Sequence, residues 1–546
     1  MNIIEHALKN ELKHAVNKAF SLDLPLDDII IEVPKLKEHG DYSTNLAMRL
    51  VKILKGNPRA LAQTLIEAID FKAAGIKSAD IAGAGFINLK MDEGFLSSII
   101  GTILQADHDY GTSVQTDPIW YNIEYVSANP TGDLHPGHAR GAAIGDSLTR
   151  IMSKAGFKVT REYYLNDAGN QINNMARSLQ ARYLQACGED AVVPEDGYHG
   201  KDLIDIAAKL KEEVGTSLKD LPLSESLPAF KRYGLKAETD KLKEDLQKFR
   251  VEFDIWTSEQ SLYDQGLVQK SLDTLIAQGH TYQSEGALFL RSTDYGDDKD
   301  RVLIKSDGSY TYIVPDIAYH LNKKQRGYDK LVDLLGADHH GYIGRLEAAF
   351  QALGYSKDDL HVDIIQMARM IKDGEEFKLS KRTGKAVALK DLIDEAGVDA
   401  LRYYFVSRAS DTHMDLDLDM AAKQSSENPV YYAQYAHARM CSILRQGELT
   451  IPASFERITH EKEIDLIKLM ADFPQMITDA AESRAPHKVC LYIQKLATAF
   501  HAFYSECVVL KEEEPLRSQR LALVKATQIT LRNALELIGV AALEKM

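Results

Sequence analysis

The sequence predicts an α/β protein: a doubly wound, mostly parallel sheet with a helical insertion, preceded by an α+β module and followed by an all-α region. Three observations carry this. Ile119 to Val126 (IWYNIEYV) is nearly continuous apolar and aromatic, as expected of a strand buried on both faces. A Pro-Gly loop, an amphipathic helix and a second strand-like run, Lys158 to Leu165 (KVTREYYL), follow it. That is the β-loop-α-β opening of a doubly wound fold. From about Leu401 the chain reads as helical to its end.

In chain order, Ile4, Leu8, Leu12, Ala15 and Ala19 form the first helical stripe. HGDYSTNLAMRLVKIL (His39 to Leu54) reads as a loop capped by Ser43 or Thr44 that enters a helix. Ala82 to Met91 (AGAGFINLKM) reads as a strand after a glycine turn, so the first unit spans 1–110. The helix after the Pro-Gly loop carries Ile144, Leu148, Ile151 and Ala155 on one face, and Gly156 stops it. Residues 170–285 look helical and charged, with a stripe of Leu242, Leu246, Phe249 and Phe253; they read as an insertion. Strands are expected again at Tyr310 to Val314, at Leu331 to Leu335 before GADHHG, and at His361 to Met367. The α/β unit then spans 111–408 and the helical unit 409–546. In the last helix Leu521, Val524, Leu531, Leu535 and Ile538 share a face.

Composition narrows the function classes. The chain has 546 residues, too many for one ordinary domain. The four cysteines, Cys187, Cys441, Cys490 and Cys507, are far apart and form no CxxC pair. A cysteine zinc site and a disulfide framework are both unsupported, which fits a reducing cytoplasm. The N-terminal stretch is acidic and amphipathic, without a signal-peptide core. No apolar run reaches the roughly 18 residues of a membrane span. The net charge of −15 opposes non-specific nucleic-acid binding, which rests on phosphate neutralisation. Local basic patches could still grip an RNA.

Four clusters carry chemistry. His135-Pro136-Gly137-His138 lies where strand passes to helix, and amides and helix dipole there favour anionic oxygens. Gly137 lets a ligand approach the backbone. Imidazole N–H groups can stabilise charge developing on an ATP α-phosphate. Two ordinary loop histidines, or half a metal site, are the alternatives. Lys378, Lys381, Arg382 and Lys385 flank Ser380 and Gly384, the cationic cover a phosphoryl transfer needs; a solvated basic loop would look the same. Gly336 and Asp338 in GADHHGYIGR could receive adenosine and its ribose, although Asp338, His339 and His340 could instead ligate a metal. Glu124 ends one predicted strand, and Asp316 follows another. Carboxylates in such places are seldom buried unless paired. They could hold a cationic ligand, with Tyr312 as a wall, or an arginine of the chain itself.

These motifs, in this order, resemble the class I aminoacyl-tRNA synthetases and specifically bacterial arginyl-tRNA synthetases. HPGH is similar to the HIGH signature. KLSKR is similar to KMSKS, with Leu379 for Met and Arg382 for the last Ser. Asp399 to Arg402 (DALR) resembles the tetrapeptide that names the group's anticodon-binding domain. HGDYSTNLA resembles the added N-terminal module, and Ser425 to Arg439 and Arg532 to Val540 resemble arginyl-type phrases. The resemblance covers essentially the whole chain.

The resemblance implies a Rossmann-like catalytic domain, an N-terminal module touching the outer corner of tRNA, and a C-terminal anticodon-binding domain. It implies catalytic roles for His135, His138, Lys378 and Lys381, and ATP contacts from Gly137, Gly336, Asp338, His339 and Ser380. Glu124, Ser127 and Asn129 would contact L-arginine on the strand side; Tyr312 and Asp316 would hold its guanidinium. Where some members carry a glutamine on the following helix, this chain has Arg345. The implied substrates are ATP with Mg²⁺, L-arginine and tRNA-Arg. The expected enzyme is a cytoplasmic monomer without zinc and without a membrane partner. The rival readings are a nucleotidyltransferase with an HxGH turn, which would be far shorter, and a non-catalytic tRNA-binding relative.

Overall fold

The computed structural model describes residues 2–378 and 387–546. At its centre lies a five-stranded sheet in which every neighbouring pair is parallel. Its strands are β1 (Trp120–Glu124), β2 (Lys158–Leu165), β3 (Ile255–Ser258), β4 (Lys330–Gly336) and β5 (Leu360–Ile365). Their spatial order is β3-β2-β1-β4-β5. The order reverses between β1 and β4, and ligands of doubly wound sheets bind at that reversal, outside the strands' carboxyl ends.

Helix α1 (Pro136–Lys154) follows β1. Pro136 suits its first position, where a missing N–H costs nothing. The helix is buried on nearly every side, and its packed positions are small: Ala139, Gly141, Ala142, Ala143, Gly145. A Cβ on Gly145 would come within 2.3 Å of the Tyr125 ring, so glycine lets α1 lie close against β1. On α1, Asp146 accepts a 2.5 Å hydrogen bond from Arg402. Arg402 also donates to the carbonyls of Ile538 (2.9 Å) and Phe249 (3.0 Å). This buried arginine ties together the nucleotide-side helix, the insertion and the last helix.

Two elements differ from expectation. β3 lies inside the segment read as a helical insertion, after helices Asn170–Ala186, Lys201–Val214 and Leu223–Lys248. With only four residues, it leaves little periodic signal. The run Tyr310 to Val314 is not a strand: Tyr310 makes one isolated bridge to Ile304, and Ile313 opens helix α2 (Ile313–Gln325). Pro315 is accommodated because it falls in the helix's first turn, where its missing N–H has no helical acceptor. Ile313, Ile317 and Leu321 then recur at helical spacing and are buried. Asp316 therefore stands on a helix rather than after a strand.

The N-terminal part contains helices Ile3–Phe20, Leu46–Leu54 and Pro58–Ala68 and an antiparallel sheet of Tyr42–Thr44, Ile76–Ala82 and Phe86–Met91. Helix Glu93–Ala106 packs against the C-terminal helices Glu461–Ala471 and Leu516–Leu537. The Tyr110 hydroxyl donates to Met470 O at 2.7 Å, and the Asn533 amide donates to the carbonyls of Asp107 and Tyr110. At the other expected junction, strand Met414–Asp417 lies beyond residue 408 yet pairs in parallel with Ala368–Lys372. Five longer helices follow, and the last, Leu516–Leu537, is buried around most of its circumference.

Candidate active site

Two turns face each other at the sheet reversal. After β1, Val126 and Ser127 adopt φ values of 70° and 42°, a region that costs a β-branched residue energy and persists only where neighbours fix it. Here the Ser127 hydroxyl donates to Glu124 Oε1 at 2.9 Å and accepts from the Tyr164 amide at 3.1 Å. Asn129 is held by Gln171 at 2.9 Å.

His135 caps α1. Its Nδ1 accepts from the amides of Gly137 (3.1 Å) and His138 (3.3 Å), and His138 Nδ1 accepts from the His135 amide. The rings stack with centroids 3.6 Å apart. A Cβ at Gly137 would come within 2.9 Å of the His135 ring, so this glycine makes room for the imidazole. An imidazole that accepts at Nδ1 carries its proton on Nε2. Burial, with His135 beside it, pushes His138 down to about 3; desolvation also lowers His135. Both rings are thus neutral at pH 7, each offering an Nε2–H at the positive end of a helix. That suits a phosphate oxygen.

The opposite turn, Ala337–Tyr342, follows β4. Asp338 is exposed, lies 3.6 Å from His339, and supports the proton affinity of His135. Gly336 gives Asp338 space, because a Cβ there would meet Asp338 Oδ1 at 2.6 Å. Lys378 is exposed and pairs with Glu376 at 3.1 Å. Ser380 and Lys381 lie outside the described residues.

A cluster of acids joins β2, the helix after β3, and α2. Asp316, in the first turn of α2, accepts a hydrogen bond from the Tyr342 hydroxyl. Burial, aided by Glu124 and Asp333, raises its carboxyl to about 6. Glu259 begins the helix that follows β3. Burial, with Asp316 and Asp167 nearby, raises it to about 7. Burial, and after it the charges of Glu259, Asp316 and Glu124, push the acidity of the Tyr164 hydroxyl far down. That hydroxyl is buried beside the Glu259 carboxylate, whose proton affinity it lowers by hydrogen bonding. Glu124 differs from the other two acids, since its Oε2 meets Lys323 at 2.6 Å. The internal partner expected as an arginine is this lysine.

Tyr312 stands one turn before Asp316 but is 93% exposed. The phenol that donates to Asp316 is Tyr342. Arg345 acts on Tyr342. The sequence reading missed Glu259, Tyr164, Tyr342 and Lys323. Glu259 carried little signal, since it follows IWTS, a four-residue strand with only two apolar residues.

Two amide-rich turns over a parallel sheet, beside an acidic pocket at the strand reversal, define a class I aminoacyl-tRNA synthetase catalytic core. Residues 100–441 match the model of the class I (R) tRNA synthetase catalytic domain. Residues 6–91 match the arginyl tRNA synthetase N-terminal domain, and residues 433–546 match the DALR anticodon-binding domain. The chain is 54% identical to the arginine–tRNA ligase of Bacillus licheniformis and 53% identical to that of Bacillus subtilis, each alignment covering 100% of both chains. The Thermus thermophilus arginyl-tRNA synthetase shares the fold, with a TM-score of 0.77, 22% identity and 100% coverage of both chains. The chain belongs to the arginine–tRNA ligase family. Full-length coverage and the DALR match set aside the short nucleotidyltransferase reading.

Proposed function

We propose that the chain activates L-arginine with ATP and transfers it to the terminal ribose of tRNA-Arg. The observation that carries the amino-acid specificity is the pair Asp316 and Glu259. Both are half-buried carboxylates with raised proton affinity, and neither is ion-paired among the described residues. A ligand that places a delocalised cation between them relieves their desolvation cost. A guanidinium supplies planar N–H donors for both acids and for Tyr342, where an ammonium cannot fork. Glu124 and Ser127, on the strand side, then meet the substrate's other cation, the α-ammonium group.

ATP lies across the switch point, its α-phosphate on the His135 and His138 Nε2–H groups and the α1 amides, its adenosine near Gly336, Asp338 and His339. The arginine carboxylate attacks the α-phosphorus in line, and pyrophosphate leaves toward Lys378, Ser380 and Lys381. The protein contributes positioning and electrostatics rather than a covalent intermediate. Mg²⁺ travels with the ATP phosphates. Imidazoles and amides suit anionic oxygens, and among the described residues no group of three His, Cys, Asp or Glu is placed to hold a metal. Zinc plays no part in this reading; metal analysis finding one tightly bound zinc per chain would refute that.

A tRNA ribose hydroxyl, 2′ in this class, then takes the arginyl group. The C-terminal helices offer a base-stacking face: Tyr431 and Tyr435 stack on each other, Tyr435 stacks on His501, and Arg439 lies over Tyr435 and Tyr504. Aromatics with an arginine suit unpaired bases. The residues up to about 110 contact the tRNA's outer corner, and the enzyme acts as a cytoplasmic monomer. No described helix is long and apolar enough to cross a membrane. ATP–pyrophosphate exchange across the twenty amino acids, with tRNA present, tests the assignment; activation of any amino acid other than arginine as the best substrate would overturn it.

A further inference from the structure

The side chains of Asp316, His320 and Lys323 occupy one face of α2, at i, i+4 and i+7. Lys323 is 0% exposed. Its ammonium donates to Glu124 Oε2 at 2.6 Å and to Asp333 Oδ1 at 2.8 Å, and it lies 4.3 Å from the Tyr319 ring centroid. Glu124 and Asp333 are register partners on β1 and β4, so two carboxylates stand side by side at the middle of the sheet. His320 bridges further: Nε2 meets Asp333 Oδ2 at 2.6 Å and Nδ1 meets the Asp316 carbonyl at 2.7 Å. Both partners are acceptors, so both ring nitrogens donate and the imidazole is charged. Its proton affinity is raised accordingly, through Asp333, against the opposing effect of burial. Two acids and two cations thus balance in a closed network. One oxygen of that network, Glu124 Oε1, reaches out to Ser127.

We propose that Lys323 is a positioning residue for arginine binding: its ammonium, shared between Glu124 and Asp333, holds the Glu124 carboxylate in place and aimed at the substrate's α-ammonium group. This rests on the reading of Glu124 as a substrate contact. A lysine so placed touches neither substrate nor ATP. Without it, two adjacent buried carboxylates repel each other. Asp333 retains its imidazolium, whereas Glu124 loses the cation that orients it. Lys323 is held by the charges of Asp333 on β4, Glu124 on β1 and Glu162 on β2; Glu162 itself pairs with Arg326 at 2.8 Å, His320 pairs with Asp333, and Asp316 stands on the same face of α2.

The test is a double-mutant cycle in the full chain, read as arginine KM, ATP KM and kcat in tRNA-supported pyrophosphate exchange. Lys323→Met should raise arginine KM by roughly tenfold or more, with ATP KM within about twofold. Asp333→Asn should also raise arginine KM, because Lys323 and His320 then leave excess positive charge beside Glu124. Lys323→Met with Asp333→Asn restores the charge balance and should return arginine KM to within about threefold of the unmodified enzyme. If Lys323→Met fails to fold, Asp333→Asn and the double variant carry the test. A double variant no better than either single one, or arginine and ATP KM rising together, overturns the positioning role. Glu124→Gln separates the two claims: unchanged arginine KM there removes the Glu124 contact and this proposal with it, whereas a raised KM without compensation in the double variant removes only the role of Lys323.

Discussion

Asp316, in the first turn of α2, raises the proton affinity of Glu259, the first residue of the helix after β3, and neither forms an ion pair among the described residues. On the proposed reading, this pair receives the cation of the substrate. Sequence distance hides this pairing; the sheet brings the two acids together.

Asp316→Asn should lower arginine kcat/KM by roughly 30-fold or more, since removing one side of a buried charged contact costs about 2–5 kcal/mol. ATP KM should stay nearly constant. Steady-state exchange kinetics decide it, and lost ATP affinity with arginine use preserved would place Asp316 outside the amino-acid pocket.

Arginine affinity should depend on pH. Asp316 and Glu259 are raised to about 6 and about 7, and the cation needs both ionised. Binding should strengthen as pH rises through that window and level off above about pH 8, the two acids titrating as a coupled pair. For the ligand-free protein the sign is opposite. The folded state binds more protons than the unfolded one between the ordinary carboxylate range and about 7, so stability should fall as pH rises there. Calorimetry with and without arginine measures both. Affinity independent of pH from 5 to 8 would sink the assignment.

Lys381→Ala should cut the adenylation rate by about 10²–10³-fold, the usual loss for one charge-stabilising donor. The melting temperature should be unchanged. A large drop in melting temperature would mark a structural residue instead.

Arginine activation should require tRNA, as the arginyl enzymes generally do. Pyrophosphate exchange measured with arginine and ATP alone should be near background and should rise when tRNA-Arg is added. Robust exchange without tRNA contradicts this.

Citrulline, similar in shape to arginine but uncharged, should not be activated. The Asp316 and Glu259 carboxylates would stay uncompensated beside it, an unpaired buried charge being the costlier state. Efficient citrulline turnover would remove the electrostatic argument for the pocket.

Much of this protein is local and was legible in the sequence. The continuous apolar run of β1, the Pro-Gly step into α1 and the second strand-like run at β2 encode a strand, turn, helix and strand within a few dozen residues, so this part of the fold could be read from the sequence itself. His135, Gly137 and His138 belong to one helical cap, where chemistry and backbone geometry are set by neighbours in sequence. The tertiary structure decided the amino-acid side. Tyr310 to Val314 carries a strand-like run, yet Pro315 fits a first helical turn and the buried face of Ile313, Ile317 and Leu321 draws the segment into α2. That choice turns Asp316 toward Glu259 and Tyr342 and sends Lys323 between Glu124 and Asp333. These groups lie tens to hundreds of positions apart. Their charges and proton affinities depend on shared burial, which no local pattern of residues records.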